Sequence, residues 1–180
     1  MCIRDRVFTG RERFEPGNPQ EGYSPSPQER QSWLQISYMK EAYHTMGPKF
    51  TLGWMAEALY SSKNFSENYT ATMMQAGEFA PTPHSKLMYN EAFRANQYVA
   101  AGIKPIYVLN DMFQFRTEFY GFTPIFPIKK NALNKAYYGK AFSRFEYMGE
   151  VSVICHLPFG AISAYVNHYS SPRREWNVCL

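Results

Sequence analysis

The residues that could carry acid–base or metal chemistry are few and scattered. The histidines are His44, His84, His156 and His168, and no pair of them has the spacing of a metal site. Ser152 and His156 share one face of a candidate strand, which is the one hint of a nucleophile with a base. The motifs G-x-S-x-G and D-G, a P-loop and a dinucleotide fingerprint are missing from the sequence. We therefore expect no catalytic residue, no cofactor and no metal ligand.

The cysteines are equally isolated. Residues 1–6 (MCIRDR) resemble a translated sequencing adapter, so Cys2 is left out of the fold reasoning and the natural N-terminus is expected to be missing. Cys155 and Cys179 lie on segments separated by another candidate strand, which argues against a disulfide. Neither has a Cys or His neighbour at metal-ligand spacing, so both are interpreted as isolated thiols.

Ionisable side chains recur in the middle of candidate strands. Arg116 and Glu118 share the polar face of one strand, and Arg144, Glu146 and Glu150 share that of another. We interpret them as groups that pair across strands inside a closed barrel; the alternative is a charged lumen that sets permeation or holds a plug. The full set of candidate lumen-facing residues is Glu57, Gln114, Arg116, Glu118, Arg144, Glu146 and Glu150.

A two-residue alternation positions these side chains. In 144–157 the odd positions are almost wholly apolar and the even positions carry the charges, and 112–122 repeats the pattern. The same signal, clearer in some segments than in others, predicts further strands at 33–43, 50–60, 69–79, 97–109, 161–169 and 175–180, with a weaker one at 87–90. About eight strands result, most of them near the roughly 9–11 residues that a tilted strand needs to cross a bilayer.

The predicted connections alternate in length. Those at 46–48, 110–111 and 158–160 are tight, whereas those at 61–68, 123–140 and 170–174 are longer and polar. Short turns at one end and long loops at the other are typical of outer-membrane barrels. Residues 7–31 are proline-rich and polar, and we predict a loop or linker there.

The longest predicted loop is also basic. It contains Lys129, Lys130, Lys135 and Lys140, which we interpret as solvated, with lipopolysaccharide contact as the alternative.

Composition narrows the class of protein. The chain has 180 residues with 17% aromatic residues, 19% charged residues and a net charge of +4. Its mean hydropathy of −0.44 excludes a bundle of membrane helices. The mild charge argues against nucleic-acid binding and against disorder. Aromatic residues near strand ends suggest a membrane-interface girdle. The candidate interface aromatics are Trp54, Tyr60, Phe119, Phe145, Tyr147 and Trp176.

Alternation by itself fits both a soluble and a membrane β-protein, because only the direction of the apolar face differs. Strand length, mid-strand charges and aromatic strand ends favour the membrane. We therefore predict an all-β fold, an antiparallel up-and-down transmembrane β-barrel that is incomplete in this chain. Residues 1–6 are assigned to the adapter, 7–31 to the linker and 32–180 to the barrel.

The last segments resemble a known family. The stretches 149–153 (GEVSV), 157–160 (LPFG) and 163–167 (SAYVN) resemble the final hairpins of Omp85-type barrels. In particular they look like the C-terminal barrel of Bacteroidetes-type patatin-like phospholipases, as do 79–86 (FAPTPHSK) and 91–96 (EAFRAN). The chain departs from that family by lacking a final strand that ends in an aromatic residue.

This resemblance implies a role and a location. In such proteins a patatin domain hydrolyses lipid acyl esters, a POTRA-like domain follows, and a barrel closes the chain. The resemblance therefore implies a non-catalytic barrel portion, an anchor or translocator, in the bacterial outer membrane. Its expected partners are outer-membrane lipid, the barrel-assembly machinery and a lipase domain upstream in the same parent chain. No catalytic residue is carried over, because the nucleophile and aspartate motifs are missing from this sequence.

Two alternatives stay open. One is part of a barrel enzyme that acts on outer-membrane lipids, with Ser152 and His156 at its wall. The other is a soluble, secreted β-sandwich or barrel that serves as a binding module, with its apolar faces buried in a core.

Overall fold

The chain folds mainly into antiparallel β-structure. A computed structural model describes residues 2–13, 30–66, 68–171 and 176–179. The strands, in chain order, are β1 (Cys2–Arg13), β2 (Arg30–Thr45), β3 (Phe50–Ser61), β4 (Gly77–Glu78), β5 (Arg94–Ala95), β6 (Gln97–Val108), β7 (Phe113–Pro124), β8 (Ile128–Lys130), β9 (Ala136–Tyr138), β10 (Glu146–Leu157), β11 (Gly160–Tyr169) and β12 (Trp176–Cys179).

The eight longer pieces form one sheet in the order β1-β2-β3-β6-β7-β10-β11-β12. All neighbours are antiparallel and follow one another along the chain, apart from the two small ladders β4–β5 and β8–β9. The predicted antiparallel all-β fold is confirmed. Within the described residues β1 and β12 are the two edges, and the sheet is not seen to close on itself.

Connections alternate in length, as predicted. The turns at 46–49, 109–112 and 158–159 are short and lie at one end of the sheet. In the second of these turns the Asn110 side-chain oxygen accepts bonds from the backbone nitrogens of Met112 (3.0 Å) and Phe113 (2.7 Å). The long connections 62–96 and 125–145 lie at the other end, called here the loop end.

The strand register divides the side chains between two faces. One face carries a row of residues that are direct neighbours across the strands, and we call it the inner face. The opposite face is called the outer face. The row consists of Glu41, Met55, Gly102, Tyr120, Met148 and Tyr169. Because alternate residues point to opposite faces, this row fixes the direction of nearly every other side chain in the sheet.

The described residues of 62–96, which are 62–66 and 68–96 and are called the covering segment, pack on the inner face and create the main core. Phe79 and Phe93 of this segment are almost completely buried. Phe79 stacks on Phe122 with ring centroids 5.8 Å apart, and Phe93 lies 6.1 Å from Tyr169. Burying each aromatic ring contributes about 1.5–3 kcal/mol, so the segment and the sheet stabilise each other.

The covering segment corrects two predicted strands. Residues 69–79, predicted as a strand, form helix α1 (Tyr69–Gln75) followed by β4. The Asn68 side chain caps the helix by accepting from the Ala71 nitrogen at 2.8 Å. The weaker strand at 87–90 is also wrong, because these residues form a turn before a 3-10 helix at Glu91–Phe93. None of the described helices has the length and apolar character needed to cross a membrane.

The N-terminal region corrects another prediction. Residues 7–13, predicted as loop, belong to β1, which begins within the excluded adapter-like stretch. Pairing with residues 30–41 of β2 satisfies the backbone along one side of this polar segment, and a strand held by that ladder needs no apolar periodicity. Residues 14–29 of the predicted linker lie outside the described residues.

Two features of β6 shape the centre of the sheet. The β6–β7 ladder pairs Ile103 with Phe119 and Ile106 with Arg116, but leaves Lys104 and Pro105 without a partner on β7. Pro105 has no N–H to donate into a ladder. Near this gap the Tyr120 ring lies over Gly102, so closely that a Cβ there would sit 2.1 Å from the ring.

Candidate functional site

A group of charged side chains lies buried at the centre of the inner face. We call it the charged cluster: Glu41 on β2, Lys104 on β6, Arg116 and Glu118 on β7, and Glu150 on β10. Lys104 is 5% exposed and Glu118 is 1% exposed. Each lies in the middle of a strand, so its direction is set by the alternation and not by a flexible loop.

Hydrogen bonds and ion pairs satisfy most of the cluster. Lys104 pairs with Glu41, which also accepts from the Tyr43 hydroxyl at 2.7 Å. Arg116 pairs with Glu118, which also accepts from the Tyr120 hydroxyl. A buried charge is tolerated only when it is paired, so these contacts are a condition for folding.

Glu150 is less well satisfied. It lies directly opposite Glu118 on one side and Asn167 on the other. Its Oε2 atom and the Asn167 Nδ2 atom have no hydrogen-bond partner among the described residues. Thr82 of the covering segment lies beside the Glu150 carboxylate. Arg116 Nε and Glu118 Oε1 also lack a hydrogen-bond partner, although these two side chains form an ion pair. Among the described residues the centre of the inner face therefore carries four buried polar atoms without a hydrogen bond, two donors and two acceptors.

The structure separates the predicted lumen-facing residues into groups. Arg116, Glu118 and Glu150 come together in the charged cluster. The remaining four lie elsewhere on or beside the inner face: Glu57 accepts from the Tyr98 hydroxyl at 2.6 Å, Arg144 Nε donates to Glu146 at 2.8 Å, and Gln114 lies 3.3 Å from His156.

Sequence reasoning missed three inner-face residues: Glu41, Lys104 and Asn167. Lys104 carried a usable signal, because it is a lone charge in mid-strand with the same parity as Ala100 and Gly102. Its partner Glu41 is 63 positions away in sequence, and no local pattern links the two. Pairing at that distance depends on the order of strands in the sheet.

Ser152 and His156 do not form a catalytic pair. They share the inner face but stand four residues apart on β10, which is about 13 Å along a strand. A nucleophile and its base must lie within hydrogen-bond reach. Instead the Ser152 hydroxyl donates to the Arg116 carbonyl at 3.4 Å, and His156 contacts Gln114. Elsewhere, His84 of the covering segment contacts the Tyr169 hydroxyl at 2.8 Å.

The covering segment is tied down by polar contacts of its own. Arg94 pairs with Glu78 at 2.5 Å and donates to the Met74 carbonyl at 3.2 Å, near the C-terminal end of α1. The Tyr69 hydroxyl donates to Glu91. Burial and this neighbouring carboxylate raise the pKa of the Tyr69 hydroxyl above its ordinary value.

The outer face is apolar and exposed. Phe119 is 52% exposed and Ile103 is 49% exposed, and they are direct neighbours in the β6–β7 ladder. Other exposed apolar side chains on this face are Ile36, Tyr38, Val99, Tyr107, Phe113, Phe115, Tyr147, Val153 and Ile162. The apolar surface thus runs across strands β2 to β11 without a covering element among the described residues.

The predicted interface aromatics lie mostly on this face. Trp54, Tyr60 and Tyr147 point outward, as does Phe119, and the exposed Phe145 immediately precedes β10. Phe119 lies near the middle of β7, so its placement near a strand end is wrong, and Trp54 likewise lies near the middle of β3. Phe119 is not near a strand end because β7 continues to Pro124, two residues beyond the predicted segment 112–122. The side chain of Trp176 lies outside the described residues.

The remaining candidates for site chemistry are unclustered. Cys155 is a free, half-buried thiol, and the side chain of Cys179 lies outside the described residues. Within the described ranges no three His, Cys, Asp or Glu residues form a group that could hold a metal ion. Comparison of the chain with protein-family models, with curated proteins and with solved structures finds no match.

Proposed function

We propose that this chain forms part of the wall of an outer-membrane β-barrel and serves as a non-catalytic anchor or translocator. The outer face would contact lipid and the inner face would line the lumen. One observation carries the proposal: the outer face is apolar and exposed, whereas the inner face buries Lys104, Glu118 and Glu150 beside the core under the covering segment. In a soluble antiparallel sheet the exposed face is polar, and in a membrane barrel the exposed face is apolar.

The dimensions of the outer face support this role. Phe50, Tyr107 and Phe115 form one aromatic row near the tight turns, and Tyr60 lies near the loop end. Phe50 and Tyr60 are ten residues apart on β3. That spacing spans about 34 Å along a strand, and a tilt of about 40° reduces it to about 26 Å across the membrane. The apolar band of such barrels is about 25 Å tall, with aromatic residues at both borders.

Lys40 is a charge on the outer face, and its contacts explain how it is accommodated. It pairs with Ala56 in the β2–β3 ladder, and its Nζ atom lies 5.5 Å from the centre of the Trp54 ring. An aromatic face stabilises a cation, and a long lysine stem can cover apolar surface while its charge reaches a more polar depth.

The inner face supports a lumen that is plugged from within the chain. The covering segment reaches the charged cluster at Thr82, which lies beside Glu150, and it buries side chains of four strands: Tyr98, Tyr120, Phe122, Met148 and Tyr169. Larger outer-membrane barrels commonly hold such a plug in their lumen.

The wider assignment rests on the family resemblance of 79–96 and 145–180. We propose the bacterial outer membrane as the location, outer-membrane lipid and the barrel-assembly machinery as partners, and a lipid acyl hydrolase domain upstream in a patatin-like parent chain. Sequencing the source DNA upstream tests the last point, since a frame containing G-x-S-x-G and D-G is expected.

A paired substitution tests the orientation of the outer face. The full chain, refolded from urea into zwitterionic micelles, is compared with refolding in buffer by circular dichroism and size-exclusion chromatography. We expect folded, monodisperse protein only with detergent. Ile103→Arg should prevent refolding into lipid vesicles, because arginine at the bilayer midplane costs about 2–4 kcal/mol, whereas Ile103→Leu should not.

The opposite outcome identifies the soluble alternative. A monodisperse monomer without detergent, made more soluble by Ile103→Arg, would mean that the outer face contacts water or a second protein layer. The chain would then be a soluble β-protein, and the outer-membrane proposal would be wrong.

A further inference from the structure

The connection between β7 and β10 concentrates positive charge at the loop end. We call residues 125–145 the basic loop. It contains Lys129, Lys130, Lys135, Lys140 and Arg144, and no Asp or Glu. Arg144 pairs with Glu146, but no carboxylate of the described chain lies within ion-pair distance of the four lysines. Their charge is therefore not compensated within the part of the protein that the structure describes.

The lysines stand on a fixed scaffold. Strands β8 and β9 form a hairpin whose turn is closed by the Asn131 side chain, which accepts from the nitrogens of Leu133 (3.0 Å) and Lys135 (2.8 Å). The Asn134 carbonyl accepts from the Tyr69 nitrogen at 2.8 Å, which joins the hairpin to α1. Ile128 is buried against Met73 of the same helix. The charges are thus presented by an anchored element.

Exposed apolar side chains lie among these lysines. Leu133, at the tip of the hairpin, is 78% exposed, and Phe142 is 61% exposed. Phe142 has a φ of 51°, a left-handed conformation that costs free energy for a bulky residue. Its nitrogen donates to the Ile125 carbonyl at 2.9 Å, which holds the loop in this shape. The strained backbone keeps an aromatic ring at the surface between Lys140 and Arg144.

The basic loop lies at the border of the apolar surface. It begins after β7 and ends at Phe145, which is on the same end of the sheet as Tyr60 and Tyr147. In the proposed barrel this border is the depth at which acyl chains give way to lipid phosphates. Lysines next to exposed aromatic and aliphatic side chains complement such a surface in both charge and polarity.

We propose that the basic loop binds the phosphate groups of anionic membrane lipids through Lys129, Lys130, Lys135 and Lys140, with Phe142 and Leu133 contacting the lipid beside them. This inference rests on the proposed function, because a chain outside a membrane would not bring the loop to that depth. The proposed ligand is a lipid headgroup that carries a phosphate. Free phosphate has the same chemistry, and the experiment below distinguishes binding of the lipid from binding of free phosphate.

The test measures which lipid the folded protein retains. The full chain is folded in dodecylmaltoside micelles containing equal amounts of phosphatidylglycerol and phosphatidylcholine, repurified, and its retained lipid is quantified by mass spectrometry. We expect phosphatidylglycerol to be enriched. Lys129→Gln with Lys130→Gln should reduce the enrichment about tenfold or more, since each lysine near an anionic surface changes binding about fivefold. The enrichment should also fall with added salt.

A matched variant controls for net charge. Lys49→Gln with Lys86→Gln removes the same charge from exposed positions outside the loop, and it should leave the enrichment within twofold. Equal retention of the two lipids, or equal loss in both variants, would overturn the inference while leaving the barrel intact. Displacement of the lipid by millimolar inorganic phosphate would identify a free-phosphate site instead. Failure to fold in any detergent would contradict the barrel proposal itself, and this inference with it.

Discussion

Phe79 and Phe122 stack with their ring centroids 5.8 Å apart and their planes inclined by only 18°. Phe79 belongs to the covering segment and Phe122 to the inner face of β7, so this contact joins a long connection to the sheet across 43 residues of sequence. Both rings are almost completely buried. The covering segment is therefore a part of the folded core and not an appended loop.

Replacing Phe79 by alanine should separate the covering segment from the sheet. Loss of a fully buried phenylalanine costs about 3–5 kcal/mol in the free energy of unfolding. Urea unfolding in zwitterionic micelles, followed by tryptophan fluorescence, measures this loss. Phe115→Ala on the exposed outer face is the matched control and should cost about 1 kcal/mol. Equal losses in both variants would contradict a core role for Phe79.

Adding one methyl group at Gly102 should be destabilising. A Cβ there would lie 2.1 Å from the Tyr120 ring and 2.7 Å from the Phe119 carbonyl oxygen, which is backbone and cannot rotate away. We expect Gly102→Ala to reduce the free energy of unfolding by about 3 kcal/mol. In Gly149→Ala the nearest atom would be Phe119 Cδ1 at 3.4 Å, an ordinary contact. That control should be neutral or slightly stabilising, because glycine weakens a strand.

Removing the charge of Lys104 should leave Glu41 without its cation. Truncating one partner of a buried ion pair costs about 3–5 kcal/mol, so Lys104→Met should lower the unfolding midpoint strongly. The double variant with Glu41→Gln should recover part of the loss, and it supplies a readout if the single variant does not fold. Lys40→Met on the outer face is the control. The ion-pair interpretation fails if Lys40→Met and Lys104→Met have the same effect.

Arg94 should stabilise the covering segment through its fork of donors. It pairs with Glu78 and donates to the Met74 carbonyl at the end of α1, so Arg94→Ala should cost about 1.5–3 kcal/mol. Arg94→Lys keeps the charge but not the planar guanidinium, so its free energy of unfolding should lie between those of the wild type and Arg94→Ala. Limited proteolysis followed by mass spectrometry should show new cleavage near residues 69–75 in the alanine variant. An unchanged digestion pattern would mean that packing alone holds the helix.

The strands of the main sheet could be predicted because their residues alternate over ten or more positions. The predicted 97–109 and 144–157 correspond to Gln97–Val108 and Glu146–Leu157, and only the ends differ. Such long alternation arises because the two faces of each strand lie in environments of different polarity, which restricts the residue types on each face. Boundaries are less constrained, because turns can absorb one or two residues.

The covering segment could not be predicted in the same way. Thr70 and Thr72 favour strands over helices, and the alternation of 69–79 was already weak. Helix α1 forms because Asn68 caps it and because Met73 is buried against Ile128, a contact that spans 55 residues of sequence. Tertiary contacts of this kind override local propensity.

The sequence pattern also could not predict which face of the sheet is buried and which is exposed. Phe113, Phe115 and Phe119 alternate with Gln114, Arg116 and Glu118 in the same way whether the aromatic face is buried or exposed. The outcome depends on which face the covering segment packs against, and that packing uses contacts such as Phe79 with Phe122, which lie 43 residues apart in sequence. The charged cluster was accordingly predicted in part, through Arg116, Glu118 and Glu150, without Glu41 and Lys104.

The interruption at Lys104 and Pro105 falls on the junction between β6 and β7, the middle of the eight-stranded sheet. Four strands lie on each side of it: β1, β2, β3 and β6 on one, and β7, β10, β11 and β12 on the other. The Phe79 ring bridges this interruption from above the sheet, because its centroid lies 6.1 Å from that of Tyr98 on β6 and 5.8 Å from that of Phe122 on β7. The covering segment therefore joins the two four-stranded halves at the junction where their backbone ladder is incomplete.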